Sequence, residues 1–343
     1  MEGKRGFELT KSLCKEYKGF FKIGAAVDAE DIFRYQGILQ QHFNSITSEN
    51  DMKFEKIHPE RGRFAWDASD KLVEYATRSG KYMRGHTLLW HEQMPGWICD
   101  ENTDILTRED TLKVMEEHIS EIVSRYKGRV NCWDVVNEVI DNDDGFLRKT
   151  RWFDIIGEDY IDKAFHYARE ADPKAQLFLN EFNGNQQEKQ ERICTLVERL
   201  KKKRVPIHGI GIQGHYSIAY PKMEEVRAEI ERYARLGLQI HITELDVSLF
   251  EYSDRRPHLG VDVFERQKRQ EEMYYRLFEV YRQYSDVVTN VTLWGVADDD
   301  TWLDDFPVKG RKDAPLLFDV DLKPKAALYA VMEFGGEQYG TAS

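Results

Sequence analysis

Eight apolar runs rich in β-branched and aromatic residues recur along the chain, at 21–27, 43–50, 82–90, 131–138, 176–183, 209–216, 238–246 and 291–298. Short continuous runs of this kind read as strands buried on both faces. Between them lie longer charged stretches whose apolar positions recur at helical spacing, most clearly at 110–126, 187–203, 222–236 and 263–284. Strand and helix alternating eight times over 343 residues predict an α/β chain closed into a (β/α)8 TIM barrel. A doubly wound open sheet is the competing arrangement. No Pro- or Ser-rich linker or low-complexity tract interrupts the pattern, so residues 1–343 read as a single domain.

The C-terminal ends of these runs change character. They finish on Glu49-Asn50, His86 and Trp90-His91, Asn137-Glu138, Asn183, Gln213 with His215-Tyr216, Glu244 with Asp246, and Trp294 with Asp298-Asp299. In a parallel barrel the C-terminal face is where the loops build a site. Two of the runs, Trp133-Asp134-Val135-Val136-Asn137-Glu138 and Ile242-Thr243-Glu244-Leu245-Asp246, end on a glutamate that would face that mouth. Two carboxylates facing one cleft are what glycosidic bond cleavage requires: a neutral acid for the leaving oxygen and an anion for the anomeric carbon. A retaining pair stands about 5–5.5 Å apart. Rim ion pairs are the alternative for either glutamate alone.

Strand neighbours point to opposite sides, so Asn137 and Glu138 both reach a cleft only if a bulge or the end of the strand twists them there. His215 ends the strand before Glu244. A hydrogen bond from His215, itself held by Asp246, would keep Glu244 ionised. Lys53, His86 and Gln213 are candidates for binding sugar hydroxyls, or else members of a rim salt bridge or buried polar network. Trp90, Trp294 and Trp302 are candidate stacking platforms, with core packing as the alternative. Trp66 and Trp152 flank helical patterns and read as structural. Lys201-Lys202-Lys203-Arg204 reads as a solvated helix end.

Composition narrows the field. The formal net charge of −12 repels nucleic-acid phosphates and anionic lipid heads, so neither nucleic acid nor membrane is expected as a partner. Aromatics reach 12%, enough to fill a barrel core and leave rings for sugar faces. Cys14, Cys99, Cys132 and Cys194 form no CxxC pair and His86, His91 and His215 are dispersed, so no metal or cofactor is expected. No run approaches the length of a membrane span, and the N-terminal segment lacks the apolar stretch of a secretory signal. A cytoplasmic location is the expectation.

The motifs Ile46-Thr47-Ser48-Glu49-Asn50, His86-Thr87-Leu88-Leu89-Trp90-His91, Trp133 to Glu138, Gly209-Ile210-Gly211-Ile212-Gln213-Gly214-His215, Ile242 to Asp246 and Thr292-Leu293-Trp294-Gly295 follow one another in order. In them the chain resembles the glycoside hydrolase family 10 xylanases over nearly its whole length. The resemblance implies a retaining endo-β-1,4-xylanase acting on xylan or xylo-oligosaccharides. By that similarity Glu138 matches the acid/base, Glu244 the nucleophile and Asn137 the residue holding the 2-hydroxyl. Glu49, Asn50, Lys53, His86, Trp90, Gln213, Trp294 and Trp302 match the non-reducing-side subsites. Tyr216 and Asn183 fall where the family builds the leaving-group side, and His215 counts among the residues lining the substrate. Asn180-Glu181-Phe182-Asn183 departs from the family's usual Asn-Asp-Tyr-Asn, and the segment after His91, Glu92-Gln93-Met94-Pro95-Gly96, is also off the common pattern. An intracellular member would meet short xylo-oligosaccharides after import. A glucanase or mannanase on the same barrel, a sugar-binding protein without catalysis and a metal-dependent barrel enzyme are the rival readings.

Overall fold

A computed structural model describes residues 11–99, 107–143 and 145–333. The expected 1–343 domain extends past these limits, and segment 1–10, residues 100–106, Asp144, 334–343 and the side chain of Cys99 lie outside the described residues.

Nine parallel strands form the sheet: β1 (Lys22–Val27), β2 (Ser45–Ser48), β3 (Tyr82–Gly85), β4 (Cys132–Asn137), β5 (Gln176–Glu181), β6 (Gly209–Ile212), β7 (His215–Ser217), β8 (Gln239–Ser248) and β9 (Val288–Leu293). Each of β1 to β5 pairs with its successor, β6 pairs with β8, β8 with β9, and β9 returns to β1. The sheet is therefore closed, which excludes the doubly wound alternative. The short β7 resumes the position of β6 beside the far half of β8, with His215 opposite Asp246. The barrel thus has eight staves.

The expected helices appear as Arg108–Arg125, Gln187–Lys202, Met223–Ala234 and Val263–Gln283. Thr107 caps the first of them by accepting the Asp110 N–H, satisfying one of the free amides of the first turn. Trp152 is buried and Trp66 partly so, both packed on the core. Residues 201–204 are exposed.

Strand residues such as Ile46, Met83, Trp133, Leu177 and Ile240 are buried in one continuous apolar core. The alternate strand positions carry polar groups that meet inside the barrel. Arg84 on β3 reaches Asp134 on β4 at 2.6 Å and His241 on β8 at 3.3 Å. Asn290 donates to Ser45 at 2.9 Å. A polar lumen is stable only when its members bond to one another, and it leads upward into the mouth of the barrel. Where a bulky ring occupies the neighbouring stave, glycine makes room. An added Cβ at Gly85 would lie 2.1 Å from the Trp133 ring, and at Gly209 2.0 Å from Phe178.

Candidate active site

Glu138 follows β4 directly, and its φ of 59° swings it out of the strand. The β4–β5 register also shifts between Asp134 and Val136. These are the two irregularities that let Asn137 and Glu138, although sequence neighbours, face one mouth. The turn is held by main-chain bonds: Glu138 N–H donates to Asn180 O at 2.9 Å, and Arg148 Nε donates to Glu138 O at 2.8 Å.

Glu244 lies mid-way along β8, where the pairing with β9 is interrupted between Ile242 and Leu245. Three amide side chains link the two carboxylates. Gln213 Nε2 donates to Glu138 Oε1 at 3.0 Å and to Asn137 Oδ1 at 3.3 Å. Asn180 Nδ2 donates to Asn137 Oδ1 at 2.8 Å and to Glu244 Oε1 at 2.7 Å. Asn137 Nδ2 reaches Glu138 Oε1 at 3.4 Å. Thr243 in turn fixes Asn180 by donating to its Oδ1 at 2.7 Å. Asn180 was not singled out from the sequence. Only the strand register, which sets it opposite Asn137 on β4, marks it out.

The other oxygen of Glu244 meets His215. Nε2 of the imidazole stands 3.2 Å from Glu244 Oε2, and Nδ1 stands 2.9 Å from Asp246 Oδ2. Burial disfavours the imidazolium, but Asp246 and Glu244 outweigh it and raise the His215 pKa to about 10. Burial would likewise push the Glu244 carboxyl up, yet His86, His215 and Asn180 together hold it down to about 2. Glu244 is accordingly an anion throughout the neutral range. His86 Nδ1 is itself held by Asp134 Oδ2 at 3.0 Å, so the Arg84–Asp134 pair of the lumen anchors the floor of the site.

The non-reducing-side candidates form one wall. Lys53 Nζ donates to Asn50 Oδ1 at 2.9 Å and lies 5.1 Å from the Trp90 ring and 6.0 Å from that of Trp294. Asn50 is fixed by Asp28 at 2.8 Å. Glu49 stands beside Lys53, and burial followed by the Asp28 charge pushes its carboxyl up to about 8. The Trp294 ring meets His86 edge-on at 5.1 Å. Trp302 begins a short 3-10 turn, donates from Nε1 to Asp246 Oδ2 at 2.8 Å and lies 4.8 Å from the His215 ring. Trp302 therefore belongs to the site rather than the core.

Among the described residues, neither of the two leaving-group-side candidates hydrogen-bonds a catalytic carboxylate. Tyr216 is buried, but its hydroxyl faces Tyr281 and Glu229 of the outer helices, because strand alternation sends it opposite to His215. Asn183 lies beyond the end of β5 with φ 55°, and its carbonyl accepts the Gln186 N–H at the start of the next helix. Among the described residues it has no hydrogen bond to either carboxylate, and Asn180 is what β5 delivers to them. In the loop after β8, Arg256 pairs with Asp254 at 2.6 Å.

A parallel barrel whose C-terminal mouth holds a carboxylate pair, one depressed and ion-paired, within a wall of Trp and amide side chains has the make-up of a carbohydrate-cleaving centre. The chain belongs to glycosyl hydrolase family 10, whose model matches residues 12–334. It is 48% identical over 323 residues to an endo-1,4-beta-xylanase of Geobacillus stearothermophilus, covering 94% of this chain and 98% of that one. Among solved structures it superposes on a xylanase from Paenibacillus barcinonensis complexed with a conduramine derivative, with TM-score 0.91, 43% identity and coverage of 94% and 98%. It also superposes on a mutant in complex with xylotriose, with TM-score 0.92, 44% identity and coverage of 95% and 100%.

Proposed function

We propose that this chain is a retaining endo-β-1,4-xylanase acting on xylan and the xylo-oligosaccharides derived from it. The observation that carries the reading is the asymmetry of the pair's hydrogen bonding. Glu244 is clamped as an anion by His215, His86 and Asn180, while the side-chain hydrogen bonds to Glu138 among the described residues come from the amides of Gln213 and Asn137.

The chemistry follows in two steps. Glu244 attacks the anomeric carbon, the glycosidic C–O bond breaks, and Glu138 gives its proton to the departing oxygen. Glu138, now an anion, takes a proton from water as that water attacks the glycosyl–Glu244 ester. The first step consumes the Glu244 charge, so the Glu138 carboxylate faces no second anion while it takes the proton from water. Asn137 stands between the carboxylates, where it can hold the 2-hydroxyl of the sugar under attack. Glu49, Asn50, Lys53 and Trp90 serve the sugar on the non-reducing side, with Trp294 and Trp302 closing the space that a hexose hydroxymethyl would need.

The similarity to relatives named endo-1,4-beta-xylanase supports xylan over glucan or mannan. We read 1–343 as a single catalytic domain working in the cytoplasm on short chains. The free thiols of Cys14, Cys132 and Cys194 accord with a reducing compartment. Among the described residues no helix is long and apolar enough to cross a membrane. Hydrolysis of xylotetraose beside cellotetraose and mannotetraose tests the substrate: rapid internal cleavage of the first is expected, and preference for either hexose chain contradicts the proposal.

A further inference from the structure

The peptide that carries Glu138 departs from its strand in a left-handed conformation, and something must hold it there. Part of the hold comes from β5 and the helix after it. Glu181, the last residue of β5, is buried, and its Oε1 accepts the Ile140 N–H at 2.8 Å, two residues beyond Glu138. Its Oε2 lies 3.1 Å from Lys189 Nζ, which is equally buried. The same ammonium donates to Asn142 Oδ1 at 2.8 Å and sits 3.6 Å from the Phe182 ring. One helical turn on, Arg192 donates to Gly145 O at 2.6 Å. The segment after Glu138 is thus gripped at Ile140, Asn142 and Gly145 by groups that do not reach either carboxylate of the site.

We propose that Glu181 and Lys189, with Asn142, are positioning residues for proton transfer by Glu138. This rests on the acid/base reading above. A buried ion pair is a costly way to fill space, and apolar replacements of both partners are often neutral for stability. Its directional value lies in the remaining bonds. One oxygen fixes the amide of Ile140 and one ammonium proton fixes Asn142, so the carboxyl of Glu138 is aimed by a frame it does not touch. From the end of β5 the Glu181 side chain is long enough to reach the Ile140 amide.

A misaimed acid harms only bond cleavages that need a proton. The double variant Glu181→Met/Lys189→Met removes both charges and leaves the Ile140 N–H without its acceptor. For xylotetraose, whose leaving group is a sugar hydroxyl, kcat/KM is expected to fall about 10- to 100-fold. For 2,4-dinitrophenyl β-xylobioside, whose leaving group departs unprotonated, kcat/KM reports the first step alone and is expected to stay within about 3-fold. A purely structural pair would lower both together. Equal losses on the two substrates, or no loss on either, overturn the proposal. If the double variant does not give the wild-type circular dichroism spectrum, Asn142→Ala, exposed and uncharged, carries the test with the same split at about 3- to 10-fold. Glu138→Ala is run beside them. If it shows no split, the acid/base reading itself fails; if it does and the variants do not, only the positioning role fails.

Discussion

His215 stands between two carboxylates, and its charge sets the working range of the site. Its pKa is raised to about 10, so the imidazolium persists across neutral pH, and Glu244 is held at about 2 partly by it. Replacing it by a neutral residue leaves burial less opposed, and the Glu244 carboxyl moves up. The acid limb of kcat/KM against pH in His215→Gln should therefore shift to higher pH than in the wild type; an unmoved acid limb would contradict the arrangement. Glu244→Ala should lose hydrolysis to below about one-thousandth. Added azide, small enough to occupy the vacated space, should restore turnover and give a glycosyl azide. Full activity in that variant would remove Glu244 from the role. Asn180 shows where reading residue types fails. It makes the bond that joins the two halves of the site, yet an asparagine inside an apolar run carries no mark of it, because the information lies in the register with β4.

The strands were legible as elements because their apolar faces outlast any single exception, and each of the eight expected runs overlaps a barrel strand. Their ends were not. The run 82–90 continues past Gly85, and 291–298 past Leu293, because residues that leave the ladder to line the cleft stay buried and so stay apolar. The run 209–216 breaks at Gly214, whose φ of 82° resets the direction, so that His215 and not Tyr216 faces the carboxylates. Glycines at these staves are tests of packing. Gly85→Ala places a methyl inside the Trp133 ring and should cost about 1–3 kcal/mol or more, read as a lowered Tm. Gly211→Ala puts its Cβ 2.1 Å from Asn180 Oδ1. It should lower kcat out of proportion to its effect on Tm, since the displaced group is the amide on Glu244. A loss in Tm without a loss in kcat would show that Asn180 tolerates movement.

For the molecule as a whole, buried histidines away from the carboxylate pair, His42, His58 and His118 among them, are neutral when folded. Burial lowers His42 and His58 to about 4, and His118, stacked on Phe54 at 3.5 Å, further below its ordinary 6.5. The unfolded chain takes up these protons near pH 6.5; the folded chain takes them up only near pH 4 at His42 and His58, and well below 6.5 at His118. Their contribution to stability is complete above pH 6.5 and is lost as pH falls from there toward 4. Tm should decline over that window, and a flat Tm between pH 7 and 4 would contradict it. Among the described residues no group of three or more His, Cys, Asp or Glu side chains could hold a metal. Both proposed steps run on the two carboxylates, so activity should be unchanged in EDTA.

The account turns on Glu244 as the residue that bonds to the sugar. A 2-deoxy-2-fluoro-β-xylobiosyl fluoride reacts in the first step and stalls before the second, so the glycosyl–enzyme accumulates. Fluoride leaves the anomeric carbon, and mass spectrometry of the digested protein should find one added 2-deoxy-2-fluoro-xylobiosyl group, on the peptide containing Glu244 and on that side chain. A label on any other residue, or a protein that consumes the fluoride without ever carrying the sugar, would contradict it.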